Sequence, residues 1–297
     1  MISVCIPVYN SDVRELVNAL YEQRKKLKTE IEIIVIDDCS RQETKDVNRS
    51  FASKINYIEN QTNQGRARIR NQFLEFATQP FLLFIDGDSQ LISKTFLSDY
   101  ISELEDKNSD VLCGASIYQA EKPKRKFYLR WKYSVNRESK NLVERLKNPS
   151  LGFKTNNFII RKEIFQKIKF NETLLGYGHE DTLFGFELRQ NEITIHQIEN
   201  PVLNKNLDDN LTFLRKTDEG LKSLLQVVKI IDNNPDFIKN NKLLSVYYKV
   251  KKNTILKLMF TFSFIILPIL TFFLRKGYYT LRMFDLYKLM MIDKINT

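Results

Sequence analysis

The stretch FLLFIDGDS, residues 81–89, sets an unbroken apolar run, Phe81 to Ile85, directly against Asp86-Gly87-Asp88. A short apolar run closed by turn residues reads as a strand buried on both faces. Asp and Gly dominate turns for their own reasons, so these residues alone leave open whether the aspartates bind a metal or only end the strand. Gly87 lets the chain turn tightly, so that Asp86 and Asp88 need not point to opposite faces as they would in a strand.

Outward from this stretch, the same unit recurs. ISVCIPVY (2–9) precedes the helical pattern DVRELVNALYEQRKKL, EIIVID precedes RQETKDVNRSFA, and INYIE precedes GRARIRNQFLEFA. FLLFID precedes KTFLSDYISELED, followed by DVLCGASIYQ, which reads as a fifth strand. Apolar runs alternating with helical periodicity predict a βαβ fold with a mostly parallel sheet. In such sheets ligands sit beyond the carboxyl ends of the strands, where helices present free N–H groups. The polar residues there are Tyr9 and Asn10, Asp37 and Asp38, Asn63 to Arg66, and Asp86 to Asp88. Paired acids at two strand ends repel one another unless a cation or a donor lies between them, and a divalent ion bridging a diphosphate meets that need.

These stretches carry a resemblance. SVCIPVYN, IIVIDDCS, NQGRARIRNQ, FLLFIDGDS and GYGHEDTLFGFEL resemble, in order and spacing, the family 2 glycosyltransferases, inverting DxD-containing enzymes with the GT-A fold. FKTNNFIIRKEIF looks like that family's stretch before the catalytic acid, and the last hundred residues match loosely. The resemblance, over residues 2 to about 190, implies an α/β, Rossmann-like nucleotide-binding GT-A domain; from about residue 206 the βα rhythm gives way to helical patterns, which sets a catalytic domain over 1–205 and a helical, membrane-associating C-terminal extension over 206–297. It implies transfer of a sugar from a nucleotide-sugar, expected to be UDP-linked, to a hydroxyl of a glycan or lipid-linked acceptor in polysaccharide biosynthesis. By position, Pro7, Tyr9 and Asp38 match residues that hold the base, and Gly65, Arg70 and Gly87 match the surroundings of the nucleotide. Asp86 and Asp88 match the DxD, Asp86 meeting the nucleoside, Asp88 a ligand of Mn²⁺ or Mg²⁺ on the diphosphate, and both belonging to the metal site. Asp181 matches the general base. Related sequences often carry a histidine ligand where Asn204 stands, so Asn204 or His179 becomes the candidate for completing the metal shell.

Independently of family, Glu180 and Asp181 open the helical pattern EDTLFGFELRQN, and acids in a first turn also simply complement the helix dipole. GYGHED lacks the third glycine of GxGxxG, HEDTL lacks the second histidine of HExxH, and no Walker A sequence occurs. Of the two histidines, His196 in ITIHQIENP reads as structural, while His179, Glu180 and Trp131 are acceptor-contact candidates. A catalytically silent nucleotide-sugar-binding or membrane-scaffold subunit is the alternative reading.

The chain of 297 residues carries a formal charge of +10, which suits a polyanionic partner. Residues 120–150 form a basic insertion, with ten Lys or Arg against three Glu through Pro149, and hold Trp131, the only tryptophan. No RNP, zinc-finger or helix-turn-helix pattern accompanies it, so nucleic acid is not the expected partner. Cys5, Cys39 and Cys113 show no CxxC spacing and read as reduced core residues. Met1 leads straight into the first strand, predicting folding in the cytosol. Residues 255–274, ILKLMFTFSFIILPILTFFL, approach the length of a membrane span but contain Lys257 and Pro268. A single span, a hairpin packed on the protein's own core and an in-plane helix pair all fit. The in-plane pair, holding the enzyme peripherally at the inner face of the cell membrane through anionic lipid, is the expectation.

Overall fold

The repeated strand-helix units assemble as the apolar patterning predicts. The computed structural model describes residues 1–107, 109–150 and 152–296. Strands β1 (Ile2–Val8), β2 (Ile31–Asp37), β3 (Asn56–Glu59) and β4 (Phe81–Ile85) run parallel. Two short strands, β5 (Ser89–Leu91) and β7 (Ser116–Tyr118), flank β6 (Val111–Cys113) in sequence, and β8 (Asn157–Arg161), β9 (Ile195–Gln197) and β10 (Val202–Asn204) complete the set. The main sheet has seven strands in the order β3-β2-β1-β4-β8-β6-β9. Among the described strands only β8 runs against its neighbours there. The remaining strands form a small sheet, β5-β10-β7.

Alternation along the strands divides the core. Val4, Ile6, Ile33, Val35 and Leu83 pack with Leu16, Leu20 and Tyr100 on one face. Cys5, Ile34, Ile36, Leu82 and Phe84 face Phe73, Phe158, Phe165 and Phe184 on the other. Both faces are covered by helices, which is why the strands read as continuous apolar runs rather than alternating ones.

DVLCGASIYQ is not one strand. It breaks at Gly114 into β6 and β7, which belong to different sheets. The cause is the buried Asn157, whose Nδ2 donates to Ala115 O (2.9 Å) and Asn200 O (2.7 Å) beside the break. A Cβ at position 114 would lie 2.2 Å from that Nδ2, so only glycine fits. Cys39 also departs from the core reading: it is half-buried in the left-handed region (φ 64°), whereas Cys5 and Cys113 are buried, and all three are free thiols.

The chain divides into two compact units: Met1–Gln119 with Glu138–Thr173 and Glu180–Asn206, and Ala120–Arg137 with Leu174–His179 and Leu207–Thr297. The basic stretch is therefore shared between them, and its first part is not a mere insertion. Leu129 is fully buried with Phe213, Leu274, Phe284 and Met290, in the core of the second unit.

In that unit the apolar stretch 255–274 forms two helices, Thr254–Thr261 and Ser263–Lys276. Asn253 starts the first by accepting from the N–H groups of Ile255 and Leu256 at 3.1 and 3.0 Å. Gly277, left-handed at φ 73°, ends the second. Among the described residues no helix is long and apolar enough to cross a membrane, which removes the single-span reading.

Candidate functional site

Parallel pairing aligns Val8 with Asp37 and Asp37 with Glu59, so the carboxyl ends of β1, β2 and β3 form one edge. β4 ends at the same edge, and antiparallel pairing of Ile85 with Asn157 brings the start of β8 there too. The first unit thus collects Pro7, Tyr9, Asp38, Gly65, Asp86, Gly87, Asp88 and the residues before Asn157 around one rim.

At β1, Pro7 is half-buried and Tyr9 is 59% exposed, an aromatic face available at the rim. Asn10 ties this end to β2: its N–H donates to Ser40 Oγ (2.8 Å), and its Oδ1 accepts from Arg41 N–H (2.9 Å). Asp38 is turned inward and buried. Its carboxylate accepts from the N–H groups of Gln64 (2.7 Å) and Gly65 (3.0 Å), capping the helix Gly65–Phe76. Both carboxylate oxygens are thus engaged by the protein's own backbone. Gly65 is required by its left-handed φ of 80° rather than by space, since a Cβ there would meet nothing within 4 Å.

The DGD stretch closes as a turn, with Ser89 N–H donating to Asp86 O at 3.0 Å. Gly87 does not serve it through a positive φ. A Cβ at that position would press on Val13 Cγ1 at 3.0 Å and Pro7 O at 3.2 Å, so glycine is what lets the turn lie against the end of β1. Asp86 and Asp88 are both partly exposed. Asp86 Oδ1 accepts from Arg70 Nη2 at 2.6 Å, and Arg70 is almost wholly buried. One turn earlier on the same helix face, Arg66 pairs through Nε with Glu180 Oε1. Two arginines four apart therefore hold the DGD turn and the GYGHED acids to a single helix.

Glu180 is buried in that pair, so its carboxylate faces Arg66 rather than an acceptor. Asp181, next in the chain, is 21% exposed at its side chain; Oδ1 accepts from Thr182 N–H (2.7 Å), and Oδ2 lies 3.6 Å from Lys154 Nζ. Lys154 begins a short ledge that sequence reasoning passed over. Two residues on, Asn156 accepts at its carbonyl from Asp86 N–H (3.3 Å), while its Nδ2 donates to Ser116 Oγ (3.0 Å) and Asn204 Oδ1 (3.3 Å). Residues 154–156 touch the base candidate at one end and the DGD turn at the other. No spacing rule flags a Lys and an Asn in FKTNNF, so only the fold could reveal them.

Asn204 reaches the same place by strand register, opposite Ser89, the residue after Asp88. It is buried, with its Oδ1 held by Asn156 and its Nδ2 donating to Ser116 Oγ. His179 and Trp131 belong to the second unit. His179 follows Gly178 in the left-handed region, at φ 67° and 82° respectively, and Trp131 is half-buried against Tyr128. His196 sits within β9, half-buried.

Among the described residues no group of three or more His, Cys, Asp or Glu side chains is placed to hold a metal ion. The arrangement still suits a hard divalent cation of the Mg²⁺ type, which is commonly held by one or two carboxylates plus substrate phosphates and water. Asp88 supplies such a carboxylate on a turn fixed by its neighbours, and Asp86 is already neutralised by Arg70.

A sequence profile of Glycosyl transferase family 2 matches residues 3–169. The poly(ribitol-phosphate) beta-N-acetylglucosaminyltransferase TarS of Staphylococcus aureus (strain Mu50) is 38% identical over 115 residues, 37% of this chain and 20% of that protein. The alignment therefore spans about a fifth of that relative's length. The structure of S. aureus TarS 1–349 in complex with UDP-GlcNAc superposes with a TM-score of 0.53 at 19% identity, covering 99% of this chain and 91% of that one. A Pyrobaculum calidifontis mannosyltransferase in complex with GDP-Man and Mn²⁺ gives a TM-score of 0.55 at 16% identity, covering 77% and 64%. At these identities the structural likenesses establish the fold, the GT-A α/β architecture with a helical C-terminal part.

Proposed function

The chain belongs to glycosyl transferase family 2, and from that premise we propose that it transfers a sugar from a UDP-sugar to a hydroxyl of a glycan or lipid-linked acceptor, inverting the anomeric centre. The observation that carries this reading is the pair of arginines on one helix face, Arg70 on Asp86 and Arg66 on Glu180. They fix the end of β4 and the start of the helix Glu180–Gln190 relative to each other, as a one-step displacement between donor and acceptor requires.

In this mechanism Tyr9 stacks on the nucleobase, and Arg70 keeps Asp86 in place beside the nucleoside. Asp88 would hold a divalent cation, Mn²⁺ or Mg²⁺, which when bound neutralises charge on the departing diphosphate. Asp181 accepts the proton of the acceptor hydroxyl as its oxygen attacks the anomeric carbon from the face opposite the diphosphate. Proton and leaving group depart on opposite sides, so no covalent intermediate forms. Lys154, 3.6 Å from Asp181 and itself about half exposed, can swing aside when the hydroxyl takes its place. A UDP-linked donor is supported by the UDP-GlcNAc bound to the similar TarS fold.

The test is a thermal-shift screen of nucleotide-sugars with Mn²⁺, since a cognate donor stabilises by linkage. Turnover assays of Asp181→Asn and Asp88→Ala then follow. Asp181→Asn should bind donor normally and lose transfer, and Asp88→Ala should lose the metal requirement together with activity. Wild-type transfer by both would overturn the assignment. The engagement of Asn204 by Asn156 favours a second reading, a silent donor-binding subunit with weak metal affinity. Metal-dependent hydrolysis of UDP-sugars without acceptor would exclude it.

A further inference from the structure

The helix Ser263–Lys276 buries a narrow stripe, Leu267, Leu270 and Leu274, against Phe213 and Phe284. The remainder of an amphipathic helix's surface is ordinarily polar. Here it is Phe264, Ile265, Ile269, Phe272 and Phe273, all exposed, with Phe264 at 71%, and Phe262 just before the helix is exposed too. The preceding helix, Thr254–Thr261, is barer still, with Ile255 at 78%. Single exposed apolar residues need no explanation, but a contiguous set does. Phe264 and Phe272 also line a groove of about 1130 Å³ with Leu267, Pro268 and Met291, whose charged lining is Lys126, Arg275, Lys276 and Lys294 against Asp209 and Asp218.

The charge around this surface says what covers it. No Asp or Glu occurs between Asp236 and Asp285. Lys249, Lys252 and Lys257 stand exposed on the approach to the apolar helices and within the first of them, and Arg275 and Lys276 stand exposed at their end. A second copy laid on this face would set lysine against lysine. A helix of 14 residues is about 21 Å long, short of the roughly 30 Å hydrocarbon layer, so it lies along a bilayer rather than through it.

We infer that the helices Thr254–Thr261 and Ser263–Lys276 form an in-plane anchor that seats on an anionic bilayer, with the exposed phenylalanines and isoleucines among the acyl chains and the flanking cations among the phosphates. The inference is independent of the donor site, and its test needs no enzymatic turnover. The full chain is floated with vesicles of phosphatidylcholine alone and of phosphatidylcholine mixed with phosphatidylglycerol. Binding is expected to the mixed vesicles and to be weak on phosphatidylcholine. The triple variant Lys249→Gln, Lys252→Gln, Lys257→Gln should lose about five-fold in partition per lysine removed.

A second variant, Phe264→Gln with Ile269→Gln, changes only exposed positions to a good helix former and should abolish flotation with the circular dichroism spectrum unchanged. Failure of the native protein to float with anionic vesicles would overturn the inference. So would flotation that the apolar variant leaves intact, or self-association in sedimentation that the apolar variant abolishes while flotation persists.

Discussion

The ion pair between Arg70 and Asp86 can be tested as a quantity. Arg70 Nη2 lies 2.6 Å from Asp86 Oδ1, with the arginine side chain 3% exposed and the carboxylate 23%. Charge centres about 4 Å apart attract by about 4 kcal/mol at an effective dielectric of about 20, and ordering an arginine costs about 2 kcal/mol. The pair should therefore show a coupling of about 2 kcal/mol. Arg70→Met alone strands Asp86 beside an apolar residue and should destabilise by about 3 kcal/mol. Asp86→Asn alone leaves a buried guanidinium whose Nη1 still donates to Arg66 O at 2.9 Å, and should cost about 2 kcal/mol. The double variant should lose clearly less than the sum of the two. Urea unfolding of all four proteins, followed by Trp131 fluorescence and by circular dichroism so that any uncoupling of the two units is visible, completes the cycle. Strict additivity, with coupling below about 0.5 kcal/mol, would refute the claim that this pair fixes the turn.

Burial lifts the Glu187 carboxyl from 4.5 to about 7. Between those values the folded protein keeps a proton that the unfolded chain has released, so stability should fall as pH rises through that window. Glu187→Gln should flatten the slope and add about 1 kcal/mol at pH 8, discounted for the solvent the side chain still meets, as denaturation across pH would show. Gly114→Ala forces a Cβ to 2.2 Å from Asn157 Nδ2 and should cost about 3 kcal/mol in thermal or chemical unfolding. Asn204→Ala should leave the Mn²⁺ concentration dependence of donor binding unchanged, because the side chain is engaged by Asn156; a large loss of metal affinity would make it a ligand. Lys154→Met should alter the pH profile of transfer while sparing donor affinity, measured by thermal shift with UDP-sugar.

The strands were legible because both faces of the sheet are covered, leaving apolar runs that no amphipathic helix imitates. The break at Gly114 was not, since the amide that causes it, Asn157, lies far along the chain and acts only after β8 pairs with β6. The acids of the rim were visible as residue types at strand ends, but their partners were not. Asp38 reads as a ligand-facing carboxylate, and it accepts from Gln64 and Gly65; Glu180 reads as an acceptor contact, and it pairs with Arg66. Periodicity reports which side of an element faces the core. It does not report which donor a carboxylate will find across a loop. The break that makes 255–274 a helix pair falls at Phe262, whereas Lys257 and Pro268 lie inside the first and second helix, so neither residue marked it.

The cap that Asp38 places on the helix Gly65–Phe76 reaches beyond local stability. In many nucleotide-binding folds a helix N-terminus receives the phosphates through its free N–H groups. At this rim the position is already filled by an anion of the protein's own, covalently fixed at the end of β2. On the proposed reading, a diphosphate arriving here would meet a helix end two of whose N–H groups already serve Asp38, and would draw more of its positive charge from a bound cation or from side chains. On that reading the charge that receives the donor would arrive and depart with its counter-ion rather than being built into the fold.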